Sequence, residues 1–188
     1  ARPASANRLS CTRDVSYLSS SSEKLSALRT FANKLYDANC NQVLLRGVWL
    51  ADGIADRRVD RYSNATISRL KREWNVNVIR LPIHPGSWKA EPDYLKRYVD
   101  HFVQLAVENE VYLVVGWHAH GNPDTGKTEA DFYDPDLSLA KSALDAISKR
   151  YADKEWVLYD PLNEPAYISW KNWRPLAEEL TDVVLANN

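Results

Sequence analysis

Methionine is absent from all 188 residues, position 1 included. That absence leads us to expect a processed or trimmed start, with a secretory signal already removed and the mature protein secreted. Cysteine is scarce, limited to Cys11 and Cys40. The pair fits one disulfide pinning the N-terminal arm in an oxidising compartment, or two separate thiols. Charge bias is missing too, since 24 basic and 25 acidic residues leave a formal net charge of −1. Such a chain has no electrostatic reason to bind nucleic acid or an anionic membrane. No apolar run approaches the roughly 20 residues of a membrane span. No dinucleotide-type GxGxxG occurs, and we expect no phosphate-binding loop of the GxxxxGKS/T kind. His118 and His120, two apart at a strand end, are not expected to share a metal.

What is present is an ordinary globular balance, 45% apolar, with seven Trp and ten Tyr. The length suits one domain with its own core. Tryptophan offers a flat apolar face and an N–H donor, which suits the C–H faces of sugars as well as core packing. Residues 1–27 read as an arm, because the run Ser19 to Ser22 has no apolar period. Ser20 and Glu23 have capping-box spacing, and a helix over 23–35 would group Leu25, Leu28 and Leu35.

From Gln42 the pattern is regular. Strands are expected over 42–48, 76–82, 111–117 and 156–162, the third as a continuous apolar run typical of a strand buried on both faces. Helices are expected over 63–74, 93–108, 137–151 and 173–186. The first is capped by Ser63 or Asn64 and closed by a left-handed Asn75. The second carries Leu95, Tyr98, Val99, Phe102, Leu105 and Ala106 on one stripe. Four strands alternating with four helices imply a parallel sheet with right-handed crossovers. Asp52, Arg80, His84, His118, His120, Asn163 and Glu164 then collect at the carboxyl edge, where such sheets bind ligands.

Residues 159–165 read YDPLNEP. This segment resembles the fourth-strand signature of clan-A glycoside hydrolases, most of all family 5, the cellulase family. LLRGVW at 44–49, VNVIRLPI at 76–83 and VYLVVGWH at 111–118 are similar to that family's first three strands, in order. KLYDANCNQVLLRG at 34–47 resembles the hairpin that plugs the barrel bottom, which displaces the helix reading over 28–36. The resemblance covers residues 28–188. It implies an α/β fold of the (β/α)₈ TIM-barrel type, with the first four βα units and an N-terminal hairpin in this chain. Gly116 departs from the family's frequent Asp, Asp160 from its frequent Glu, and Cys40 from a Gly in the hairpin.

The resemblance implies a set of roles. Glu164 matches the general acid/base of a retaining glycosidase. Independently, a Glu at a strand end followed by Pro sits on a stiff turn, and burial among tryptophans would favour its protonated form. A turn carboxylate capping the next helix is the plain alternative. Asn163 would bond the sugar 2-OH. Arg80, in an otherwise apolar run, needs a carboxylate partner. The family supplies its nucleophile; Asp160 would make a structural pair instead. His118 would bond substrate or nucleophile, or serve structure. Trp49, Trp88, Trp117, Trp170 and His120 are the substrate-binding candidates, with two of the four tryptophans expected in the core. No residue matches the nucleophile.

The implied activity is endo-acting cleavage of β-1,4-linked glucan without metal or organic cofactor. A mannanase or other hemicellulase shares the same motifs, and a non-catalytic carbohydrate-binding or scaffold protein would keep the shape alone. An eight-stranded barrel takes about 250 residues. The expectation is therefore a fragment of a longer enzyme, inactive alone, or a barrel completed by a second chain or copy.

Overall fold

A computed structural model describes residues 25–52 and 62–188. The Ser20/Glu23 capping box, Cys11 and most of the expected arm lie outside the described residues. The proposed helix over 23–35 is not found in its described part. Instead β1 (Arg29–Phe31), β2 (Lys34–Tyr36) and β3 (Gln42–Val43) form a small antiparallel sheet. Asp37 closes its turn by accepting bonds from the backbone N–H groups of Asn39 and Asn41, at 2.9 and 2.7 Å. Cys40 takes a left-handed φ of 66° in that turn, a conformation that favours glycine. Cys40 is disulfide-bonded.

The expected strand over 42–48 is divided. Its end becomes β4 (Gly47–Trp49), the first strand of a parallel sheet. Asn77 bridges the break, accepting from the Arg46 N–H at 2.7 Å and donating to the Leu44 carbonyl at 2.9 Å. The sheet continues through β5 (Val78–Ile83), β6 (Tyr112–Trp117) and, after the separate short strand β7 (His120–Gly121), β8 (Val157–Asp160), in the hydrogen-bonded order β4-β5-β6-β8. β7 pairs in parallel with β9 (Glu164–Pro165).

Five helices accompany the strands among the described residues. α1 (Asn64–Trp74) starts as read, with Ser63 accepting from the Thr66 N–H, and ends on Asn75 at φ 55°. α2 (Pro85–Ala90) is an extra turn after β5, opened by Pro85 at a position that needs no N–H. The helix expected over 93–108 has a π-helical turn at Leu95–Val99 before α3 (Asp100–Glu108). α4 (Leu137–Arg150) is capped by Asp136. α5 (Trp170–Leu185) starts three residues before the expected 173, because Ser169 caps it and Pro175 is accommodated inside.

Strand side chains alternate between two faces. Ile79, Leu81, Ile83, Leu113, Val115 and Trp117 are buried in the main core together with Phe102, Leu144 and Ile147 of the helices. The opposite parity carries Trp49, Arg80, Gly116 and Asp160, aligned by the registers Trp49↔Arg80, Pro82↔Gly116 and Gly116↔Asp160. The hydrophobic face thus anchors the sheet, and the polar face is presented at its carboxyl edge.

Candidate active site

The NEP segment is laid down by backbone bonds to the end of β6. Asn163 N–H donates to the Trp117 carbonyl at 3.0 Å and Glu164 N–H to the Ala119 carbonyl at 3.1 Å. The β7–β9 register then sets His120 beside Glu164, with His120 Nε2 3.7 Å from Glu164 Oε2. Both residues line a cleft of about 500 Å³ with His118, Glu129, Ala130, Tyr133 and Asn163.

Beside this cleft, Arg80 spans from β5 to β8. Its Nη2 donates to Asp160 Oδ2 at 2.6 Å and to Asn163 Oδ1 at 2.9 Å, and its Nε donates to the same Asp160 oxygen at 3.1 Å. Among the described residues, the carboxylate that Arg80 meets is therefore Asp160, the structural alternative. Gly116 makes the crossing feasible, since a Cβ there would sit 2.8 Å from Arg80 Nη2. Arg80 also lies against Trp49, 5.7 Å from the ring centroid.

A second cluster surrounds His118. Its ring stands 5.1 Å from that of Trp49 and 4.5 Å from that of His84. Burial, then the neighbouring His84 and Arg80, pull its pKa down to about 4, so its neutral form prevails near neutral pH. His118 Nδ1 is buried without a hydrogen-bond partner among the described residues. Behind it, the buried Asp52 carboxylate holds His84: Oδ2 accepts from the His84 backbone N–H at 3.1 Å and lies 2.8 Å from Nδ1. The Tyr94 hydroxyl also bonds Asp52, and burial with that carboxylate raises the tyrosine's pKa.

Several expectations need correction. Glu164 is not buried among tryptophans; its side chain is 64% exposed. Trp117 is fully buried, and Trp88 packs on it and on Tyr94 at 6.0 Å each. Trp88 lines a different cavity, of about 390 Å³, with Glu91, Tyr94, Lys96 and Arg150. Trp117 and Trp88 thus do not reach the Glu164 cleft, because strand parity sends Trp117 to the helix side. Trp49 and Trp170 are 61% and 69% exposed. Residues 121–128, GNPDTGKT, do satisfy the spacing GxxxxGKT, contrary to expectation. They do not make a phosphate loop: helix α4 begins only at Leu137, and Lys127 Nζ lies over the Tyr167 ring. Sequence reading also passed over Glu129 and Tyr133, which lie in a loop without hydrophobic period. No group of three or more His, Cys, Asp or Glu among the described residues could hold a metal.

Four parallel strands with intervening helices and a polar carboxyl edge define the opening half of a (β/α)₈ barrel. The family model for cellulase, glycosyl hydrolase family 5, matches residues 36–188. Endoglucanase A of Butyrivibrio fibrisolvens is 30% identical over 159 residues, 80% of this chain and 34% of its own. Endoglucanase E-5 of Thermobifida fusca is 26% identical over 172 residues, 86% of this chain and 33% of its own. A β-glucanase of Saccharophagus degradans, solved with cellotetraose, superposes with a TM-score of 0.80 at 28% identity, covering 93% of this chain and 56% of that one. The chain belongs to glycosyl hydrolase family 5. It spans about a third of the length of these curated relatives.

Proposed function

We propose that the protein is an endo-acting β-1,4-glucanase that retains anomeric configuration, with Glu164 as general acid/base. The observation that carries this reading is the placement of Glu164 and Asn163 in one cleft, with Asn163 tied to the Arg80–Asp160 pair. The matches to endoglucanases and to a β-glucanase that binds cellotetraose support the substrate class.

Asn163 Oδ1 is occupied by Arg80, so its Nδ2 is the group offered to a sugar hydroxyl. That contact strengthens as the ring flattens toward the oxocarbenium-like transition state. Arg80 acts here as the positioning residue, with Asp160 fixing its guanidinium. A bound glycan would cover the Glu164 carboxyl and displace water, the condition under which a carboxylic acid serves as proton donor. Trp49 and Trp170 offer exposed indole faces for stacking. Retaining chemistry needs a second carboxyl about 5–5.5 Å from the first. We assign that nucleophile to no residue of this chain; a further segment or a second chain would supply it. We also infer secretion, since the disulfide at Cys40 favours an oxidising compartment.

The test uses the full-length gene product. Viscosity loss and reducing-sugar release from soluble β-1,4-glucan establish endo activity, and faster release from mannan would move the reading to a hemicellulase. Glu164→Gln is expected to lower kcat on glucan by about 10²–10⁴-fold while sparing aryl glycosides with activated leaving groups, which need less proton donation. Equal losses on both substrates would refute the acid/base role.

A further inference from the structure

We propose that Glu129 is a specificity-determining contact for the leaving-group side of the glycan, held in place by Tyr167. This rests on the proposed glucanase reading and names a residue outside the roles given there. Glu129 lies on the loop between β7 and the turn at Asp131–Tyr133, and it lines the same cleft as Glu164. The Tyr167 hydroxyl donates to Glu129 Oε1 at 2.6 Å. Lys127 Nζ stands 4.2 Å from the centroid of that tyrosine ring, and the His120 ring is 6.2 Å away.

The tyrosine is itself tied down on both sides. Asn122 Nδ2 donates to the Tyr167 carbonyl at 2.8 Å, and the Ala166 N–H donates to the Gly121 carbonyl at 2.9 Å. Thr128 Oγ1 donates to the His120 carbonyl at 2.8 Å, which fixes the strand end of the loop that bears Glu129. Tyr167 adopts a left-handed φ of 58°, which bulky residues rarely do. A strained backbone, two clamped loops and a stacked cation converge on one exposed carboxylate. Exposed polar pairs of this kind contribute little to stability, so fold maintenance does not explain the arrangement. Pre-organisation of an acceptor does. A carboxylate only accepts, and the hydroxyls of a sugar are donors that match it.

The topology indicates which sugar. Glu164 joins the Arg80–Asp160 pair through its neighbour Asn163, and joins Glu129 through His120 and Tyr167. A sugar whose 2-OH meets Asn163 lies on the first side. The residue leaving with the proton from Glu164 then passes onto the second side, toward Glu129.

The experiment compares the full-length gene product with its Glu129→Gln and Tyr167→Phe variants. Each is assayed on cello-oligosaccharides and on an aryl cellobioside, and cellotetraose binding is measured by calorimetry in a Glu164→Gln background. Loss of a hydrogen bond to a charged group predicts about 10-fold or greater weakening of KM and Kd for the oligosaccharides with Glu129→Gln. The aryl cellobioside should change by less than about 2-fold, because its aryl leaving group carries no hydroxyl to donate to Glu129. Tyr167→Phe should reproduce part of the KM effect with kcat little changed. Unchanged KM and Kd in Glu129→Gln overturn the proposal, as does loss of kcat on every substrate, which would make Glu129 part of the reaction itself. A parent that neither cleaves nor binds β-1,4-glucan overturns the glucanase reading and this inference together. A parent that binds normally while the variants match it overturns this inference alone.

Discussion

Gly116→Ala puts one methyl group where the Arg80 side chain crosses the sheet. An added Cβ would lie 2.8 Å from Arg80 Nη2 and 3.0 Å from Cζ, whereas ordinary van der Waals contact begins at 3.4 Å. The guanidinium must retreat by about 0.6 Å in a close-packed setting. It is the free end of a flexible chain, and the retreat would cost little were it not bound to Asp160 at 2.6 Å and Asn163 at 2.9 Å. Weakening charge-assisted bonds costs roughly 1.5–3 kcal/mol each when they are fully shielded. Here the two charged side chains are 23% and 32% exposed, so we take about 1 kcal/mol for the pair after screening. Overpacking adds about 1–2 kcal/mol, and replacing a strand glycine returns roughly 0.5–1 kcal/mol. The net loss of about 1–2.5 kcal/mol corresponds to a fall in Tm of roughly 2–10 °C for a domain of this size. Activity should suffer more. Asn163 is displaced with its partner, and a misplacement approaching 1 Å costs on the order of 10²-fold in turnover. Thermal unfolding and hydrolysis of soluble glucan by the full-length gene product measure both. A Gly116→Ala protein with parental Tm and parental kcat would refute the account of Arg80 as the positioning residue.

Three further outcomes follow from the same geometry. Burial holds His118 near 4, below the free-imidazole value of about 6.5. Between those values the unfolded chain binds a proton that the folded chain refuses. Stability is therefore whole above about pH 6.5 and falls as the pH drops toward 4, by up to about 3 kcal/mol from this group. Urea unfolding at pH 7 and 4.5 should show a smaller drop for His118→Asn than for the parent, and an equal drop would exclude His118 as its source. Asp52→Ala removes the acceptor of His84 and Tyr94 from a buried site. It should cost about 3–5 kcal/mol in urea unfolding, and a cost under 1 kcal/mol would contradict the network. Trp170→Ala should weaken oligosaccharide binding about 10-fold with Tm unchanged, whereas Trp117→Ala should lose about 3–5 kcal/mol of stability; the reverse pattern would exchange their assignments.

Much of the frame was legible because it depends on short-range patterns. The ends of α1 were legible from residue type, Ser63 or Asn64 for the N-cap and Asn75 for the left-handed end, since few side chains serve there; the structure selects Ser63. The apolar run of β6 showed itself because both of its faces are covered. The break between β3 and β4 was hidden, because it depends on the Asn77 side chain reaching back 31 and 33 positions in sequence. The choice of tryptophans was also hidden. Composition cannot separate Trp117, turned to the helices, from Trp49, exposed on the opposite parity beside Arg80 and His118, whereas strand register can.

Sequence alone determined the order of strands and helices, the placement of His118, Asn163 and Glu164 beyond the strand ends, and the family these segments belong to, whereas Arg80, expected at a strand end, lies inside β5. All of these are encoded within a few residues of the chain. Tertiary structure decided who meets whom: Arg80 with Asp160 across the vacancy at Gly116, Asp52 with His84, and Glu129 with Tyr167 beside Glu164. Those pairs are separated by 32 to 80 positions. Parallel pairing of distant strands and docking of their loops bring them together, and no local periodicity records that.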